Sequence, residues 1–431
     1  MAYNQQTMTT PTPSGYKSTK LWLIPNDWEI LKLGEIIIER DERSMTNNEF
    51  QLLTSSRKWI FLQNEYFNKS VASKNNIGYK IIKKDDFVYR SMSDDWIFVF
   101  NRLVDYKIWL VSPAYWVFYV KNFFCIEFFN YVINRPLILN QIKNFSQWST
   151  RLALKFKKLL EATIICPTSH VEQQKIADIL SSVDALIDDT DAIISHQKKL
   201  KKWLLNKLMT EWIWHTDFVN HPKLGKLPKQ WKVVKIIDII NQMKSWLSRQ
   251  LNTYNIWIWV IRSNNLVDNK MDFSDIKYRY LDDKQWVNID NYKLENWDVL
   301  INFINSIAQI WKTAIFKSDW DNYIYTTNLL RLKVNWKILN NYFLYFTQTT
   351  KYYKEIQNIT KPAVNQASFT TKDFWNIEFC LPPLPEQQKI AEILGAVDAD
   401  IEREQNYKNS LLRLKHGLMQ KLLTGEIRVK F

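Results

Sequence analysis

The side chains best suited by type to do chemistry are basic and amide groups. Arg57 and Lys58 in TSSRKW, Arg90 in YRSMSDD and Arg151 in STRLALKF lie in the first part of the chain. Arg262, Ser263, Asn264 and Asn265 in VIRSNNL, Lys312 in IWKT, and Asn365 with Gln366 in AVNQAS lie in the second. Arg and Lys neutralise phosphates, while Arg, Asn and Gln can read base edges in a major groove. Each of these residues can equally be a solvated or turn-capping group. Catalytic sets do not emerge. CLPPLPE at 380–386 has prolines but no Asp or Asn before them, so it reads as a helix lead-in. SIAQIWKT at 306–313 has Ser306 where a phosphate loop needs its first glycine. Cys125, Cys166 and Cys380 are far apart with no CxxC pair, and the five histidines are scattered, so no zinc or disulfide framework is indicated. No nucleophile, base and acid converge.

The charge agrees with a polyanionic partner. Lys+Arg number 58 against 44 Asp+Glu, a net charge of +14, which favours nucleic acid or an acidic membrane face. No apolar run approaches the roughly 18 residues that span a bilayer. Residues 1–18 are polar and read as a disordered lead-in rather than a signal peptide. The few dispersed cysteines fit a reducing cytoplasm.

What must position these side chains is a duplicated chain. EQQKIADILSSVDALI at 172–187 returns as EQQKIAEILGAVDADI at 386–401, and IPNDWEILKLGEII at 24–37 returns as LPKQWKVVKIIDII at 227–240. The order is head, helix, head, helix. We place the heads at 19–165 and 222–380 and the helical segments at 166–216 and 384–428. The period far exceeds solenoid lengths, so two modules are duplicated rather than stacked.

The helical segments carry heptad-like apolar positions. In the first these are Ile176, Ile179, Val183, Leu186, Ile193, Leu200 and Leu204. In the second they are Ile390, Ile393, Val397, Tyr407, Leu411, Leu414 and Leu418. Such a seam asks for a helical partner, and antiparallel pairing of the two segments is the economical solution. The basic ends LKKWLLNKLM and LKHGLMQKLL read as completing that spacer and docking partner subunits rather than lying on a membrane. The heads alternate short apolar runs with polar turns and are β-rich, with a helix expected over 341–358. The fold class is α+β: two β-rich domains joined by two long helices forming an antiparallel coiled coil, with pseudo-twofold internal duplication.

This order, the two EQQKIA starts, and the stretches SQWSTRLALKF (146–156), WIWVIRSNNL (257–266) and NWDVLINFINSIAQIWKTAIF (296–316) resemble the specificity subunit of type I restriction–modification enzymes. The resemblance covers nearly the whole chain after about residue 20. It implies that each head is a target-recognition domain reading one half of a bipartite, asymmetric DNA target. It further implies that the helices set the distance between the heads and that this subunit does no chemistry. Its partners would be double-stranded DNA, methyltransferase subunits using S-adenosylmethionine, and restriction subunits using ATP and Mg, with no cofactor on this chain. Two rival readings are a diverged remnant of a fused restriction–methylation enzyme and a basic coiled-coil adaptor without sequence specificity.

One feature of composition is anomalous: 7 glycines against 20 tryptophans in 431 residues. Trp203 aligns with Gly417 in the duplicated helix (417 − 203 = 214). The resembled family usually has glycine at Trp22, Trp59, Trp96, Trp109, Trp148, Trp203, Trp214, Trp246, Trp257, Trp297 and Trp311, but tryptophan at Trp28 and Trp231. A source reading the codon UGA as glycine would produce this pattern. Reverting all but Trp28 and Trp231 gives 7 + 18 = 25 glycines, about 6% and near the usual value.

Overall fold

The computed structural model describes residues 13–19, 23–57, 59–67, 75–93, 97–105, 107–145, 152–211, 215–245, 251–252, 258–279, 292–362 and 366–429. The chain divides into two compact units, Met1–Thr190 with Tyr407–Phe431, and Asp191–Asn406. Each unit therefore holds one head, one end of the first long helix and one end of the second.

In the first head, strands Asn101–Arg102, Phe87–Arg90, Tyr115–Val120 and Ile37–Glu39 form one sheet in that order. Strands Ile60–Leu62, Leu52–Ser55, Ile108–Val111 and Lys80–Lys83 form another. The second head repeats the plan. Thr313–Ile315, Val299–Asn302, Leu329–Val334 and Ile240–Ser245 form its first sheet, and Leu251–Asn252, Lys277–Arg279, Trp259–Ile261 and Tyr323–Tyr325 its second. Even the parallel pairing recurs, Leu52–Leu53 on Leu110–Val111 and Trp259–Ile261 on Tyr323–Tyr325. The central runs FVY at 87–89 and VLIN at 299–302 are wholly buried, which is why they are continuous rather than alternating. Phe87 stacks on Phe118 at 5.5 Å and meets Phe129 edge-on at 5.2 Å.

The duplicated openings have a structural reason. Trp28–Lys32 pairs antiparallel with Thr163–Pro167, the strand that runs into the first long helix. Lys232–Lys235 pairs likewise with Glu378–Leu381 ahead of the second. In both heads a buried aspartate closes the turn before the central strand. Asp86 meets Arg40 at 2.6 Å and Asp298 meets Arg331 at 2.7 Å. Burial outweighs the neighbouring guanidinium in each case and lifts the carboxyl above its ordinary range. The helix expected over 341–358 is two helices, Asn340–Phe346 and Thr350–Ile359. The Thr349 hydroxyl accepts from the Tyr352 amide and starts the second one.

The long helices run His170–Thr210 and Leu384–Leu422. Within each unit they pair antiparallel, as expected. In the first, Asp184 meets Lys415 at 2.5 Å, and Val183 and Ile187 pack on Leu411. In the second, Lys201 meets Asp398 at 2.7 Å. The seam differs from expectation in one respect. Ile176, Val183, Ile390 and Leu411 are buried, and Ile179, Leu204, Ile393 and Leu418 pack against the cores. Leu186, Ile193, Leu200, Tyr407 and Leu414 are exposed. The second row of the seam lies one residue later, at Leu180, Ile187 and Ile194 on one helix and Leu394, Ile401 and Leu422 on the other. Lys201 and Lys415 occupy the same row, half-buried against their aspartates. No helix among the described residues is long and apolar enough to cross a membrane.

Candidate nucleic-acid interface

Each EQQKIA start is a joint between helix and head. The buried Gln173 amide donates to the Pro167 carbonyl at 2.8 Å and accepts from the Cys125 amide at 2.9 Å. Gln387 donates to Pro382 O at 2.9 Å and Lys337 O at 3.0 Å, and accepts from Leu339 N at 2.9 Å. A buried amide with both ends satisfied fixes its helix rigidly. Tyrosines brace the joint further along. Tyr131 donates to Asp184 at 2.8 Å and Tyr345 to Asp398 at 3.0 Å, 214 positions apart in both members. Burial, and then the hydrogen-bonded aspartate, push both phenols up.

The preceding glutamates have diverged partners. Glu172 takes Arg428 at 2.8 Å, and Arg428 also holds Asp27 at 2.6 Å, clamping the chain after the second helix onto the first head. The Arg428 guanidinium holds the Asp27 carboxyl below its ordinary value. Glu386 instead takes His215 at 3.0 Å and the Trp231 indole N–H at 2.8 Å. Gly425 can pass the first head only because it has no side chain: its φ is +75°, and a Cβ there would lie 2.6 Å from Pro25.

On this frame the first head opens a cleft of about 510 Å³. Arg57, beyond the strand Leu52–Ser55, and Arg90, at the end of Phe87–Arg90, both line it and are both exposed. Its floor is braced. Tyr115 Oη lies 3.2 Å from Thr54 Oγ1, and Asn101 donates to Ser55 Oγ and Ser56 O at 2.7 Å each. Lys58 and Arg151 lie outside the described residues.

In the second head VIRSNNL folds into a turn hydrogen-bonded to the following segment. The Asn265 amide accepts from Arg262 N at 2.9 Å and donates to Asp272 O and Asp275 O. The Arg262 guanidinium donates to Asp275 Oδ2 at 2.6 Å. Asn265 is buried, Ser263 is half-buried and Asn264 is exposed. Lys312 is half-buried, its carbonyl accepting from Asn302 N. Gln366 is exposed beside the strand Ala367–Ser368, which pairs with Ile304–Asn305. Asn365 lies outside the described residues. The sequence reading missed Gln63, Tyr66 and Tyr115 at the first cleft. Only the fold brings them beside Arg57 and Arg90.

Reactive groups are buried rather than poised. Burial pushes the Cys166 thiol up to about 12 and the Cys380 thiol up to about 11. Among the described residues no group of three His, Cys, Asp or Glu is placed to hold a metal ion.

Comparison with known proteins gives one consistent answer. The family model described as type I restriction modification DNA specificity domain matches twice, over residues 25–196 and 228–413. The MjaVIII specificity subunit of a type I restriction enzyme from Methanocaldococcus jannaschii is 24% identical over 421 residues, covering 94% of each chain. The putative MjaX specificity subunit of that organism is 32% identical over 203 residues, 47% of each chain, so this chain spans about half the length of that relative. Among solved structures, a type I restriction–modification system S subunit from M. genitalium aligns at a TM-score of 0.55 and 15% identity, covering 92% of this chain and 96% of that one. A chain from a type I R-M system assembly aligns at 0.57 and 17%, covering 94% and 99%.

Proposed function

The chain belongs to the type I restriction modification DNA specificity family, and we propose that it is the DNA-recognition subunit of a type I restriction–modification complex. Each head reads one half of a split target. The halves differ because the heads' surfaces differ, so the site is not a palindrome. The observation that carries this reading is the duplicated strand plan on a duplicated helix joint, with an exposed Arg90 ending the central strand of one head and a buried Asn302 ending that of the other. The basic excess supplies phosphate affinity independent of sequence.

The helix pair acts as a spacer. A helix of 41 residues is about 60 Å long at 1.5 Å per residue. Methyltransferase subunits with S-adenosylmethionine, and restriction subunits with ATP and Mg, dock on this frame and do the chemistry in the cytoplasm. This chain is non-catalytic, a reading supported by its membership of the DNA specificity family.

The test is selection from random duplex DNA by the chain co-expressed with its neighbouring methyltransferase subunit. Two short, unlike half-sites at a fixed gap are expected. Salt-sensitive binding with no enriched motif would instead describe a basic adaptor.

A further inference from the structure

We propose that the cleft between Arg57 and Arg90 is the base-reading pocket of the first head, and that its half-site contains a G·C pair read by Arg90. The inference rests on the DNA-recognition reading and locates it. The carrying observation is a difference at matched positions. Arg90 and Asn302 both end the central strand of their head, four residues after the turn aspartate. Arg90 is exposed and lines the cleft, whereas Asn302 is fully buried and donates to Gln309 O at 2.9 Å. The strand order and the buried turn aspartate match between heads and this position does not, as a reader of unlike halves requires. The chemistry of the cleft suits a base edge. A guanidinium pairs with guanine O6 and N7 through two hydrogen bonds, Gln63 offers the adenine-reading amide, and Tyr66 and Tyr115 offer flat walls. The braces from Asn101 and Thr54 hold the pocket before DNA arrives.

The experiment repeats the selection with the full chain and its methyltransferase partner, using Arg90→Ala, Arg90→Lys and Arg57→Ala. Arg90→Ala should lose preference at one G·C position of one half-site and weaken the optimal target roughly 5- to 150-fold. The other half-site and the gap should not change. Arg90→Lys should keep the salt dependence and still lose that preference, because lysine cannot make the paired contact. Uniform weakening with both halves intact, rescued by lysine, would make Arg90 a phosphate contact and overturn the proposal. A wild-type chain that selects no motif would overturn the parent reading, and the pocket with it. Both arginines are exposed, so a thermal melt separates misfolding from lost reading.

A second, independent observation concerns the residues themselves. Trp297 has φ +76°, in the left-handed region that bulky L-residues avoid. Among the described residues the other non-glycine positions found there, Asn48, Asp85, Asp268 and Asn269, are all Asn or Asp. Asp85, at φ +72°, occupies the matching turn of the first head, its amide bonded to Leu103 O as that of Trp297 is to Phe316 O. Trp297 is 50% exposed, Trp203 60% and Trp336 80%, while Trp28 is 0% and Trp231 6%. A Cβ at Gly417, the counterpart of Trp203, would meet nothing within 4 Å. We infer that the cell places glycine at 203, 297 and their like, and tryptophan at 28 and 231, by reading UGA as glycine. Tandem mass spectrometry of the protein from its native source decides it. Glycine in the peptides spanning 203 and 297, with tryptophan at 28 and 231, is expected. Tryptophan at 297, or a UGG codon there, overturns it.

Discussion

At residue 90 the first head holds an arginine out into a cleft, and at residue 302 the second head folds an asparagine into its own backbone. Three and four residues earlier the two heads are the same: an apolar strand start and a buried, arginine-paired aspartate. The contrast shows how a duplicated domain divides its work. The strand order, the turn and the glutamine joint set where things sit, and they are repeated. The side chains beyond the strand ends carry the difference between the heads.

The comparison can be broken at several points, beginning with the most costly. Removing Arg331 leaves Asp298 buried and unpaired, so Arg331→Ala should destabilise the second unit by about 3–5 kcal/mol. Arg40→Ala should cost the first unit less, because Arg40 is partly solvated. Equal losses in chemical melts would remove that asymmetry. The helix seam offers the next test. Ile187→Ala should cost about 2–4 kcal/mol as a buried truncation, and Leu186→Ala under about 0.5 kcal/mol as a surface change. A reversal would place the seam on the Leu186 row.

The glutamine joints should behave alike. Gln173→Ala and Gln387→Ala each strand buried backbone partners and should cost about 1–3 kcal/mol. Unlike values in parallel melts would mean that the joints are not equivalent. The smallest effect is acidic. Asp27 has a folded-state pKa below its ordinary 3.8 because of Arg428. Its contribution is therefore complete above 3.8 and lost as pH falls through the lowered value. The Asp27 side chain is more than half exposed, so Asp27→Asn, which leaves Arg428 on Glu172, should remove only about 0.2–1 kcal/mol. The loss should fade in acid melts below that range, with no counterpart in the second unit.

Much of this architecture is legible in the sequence, and its failures have physical causes. The repeated EQQKIA reveals two helices because a glutamine joint and an amphipathic stripe must both recur. The seam's second row is not legible. Ile179 and Leu180, Leu186 and Ile187, and Ile193 and Ile194 are adjacent apolar pairs, so spacings of three and four fit equally well. The buried row also admits Lys201 and Lys415, which no apolar count finds, because each reaches an aspartate. VIRSNNL carries the residue types of a base reader, yet Asn265 satisfies its own turn; composition cannot tell those uses apart. Among the described residues Trp28 and Trp231 are the buried tryptophans, as their recurring place after the Ile-Pro and Leu-Pro openings suggests.

The most direct measurement is the target selected by a chain shortened by one heptad in each long helix, about 10 Å or three base pairs of duplex. The account predicts the same two half-sites at a changed gap. Altered half-sites, or an unchanged gap, would contradict it.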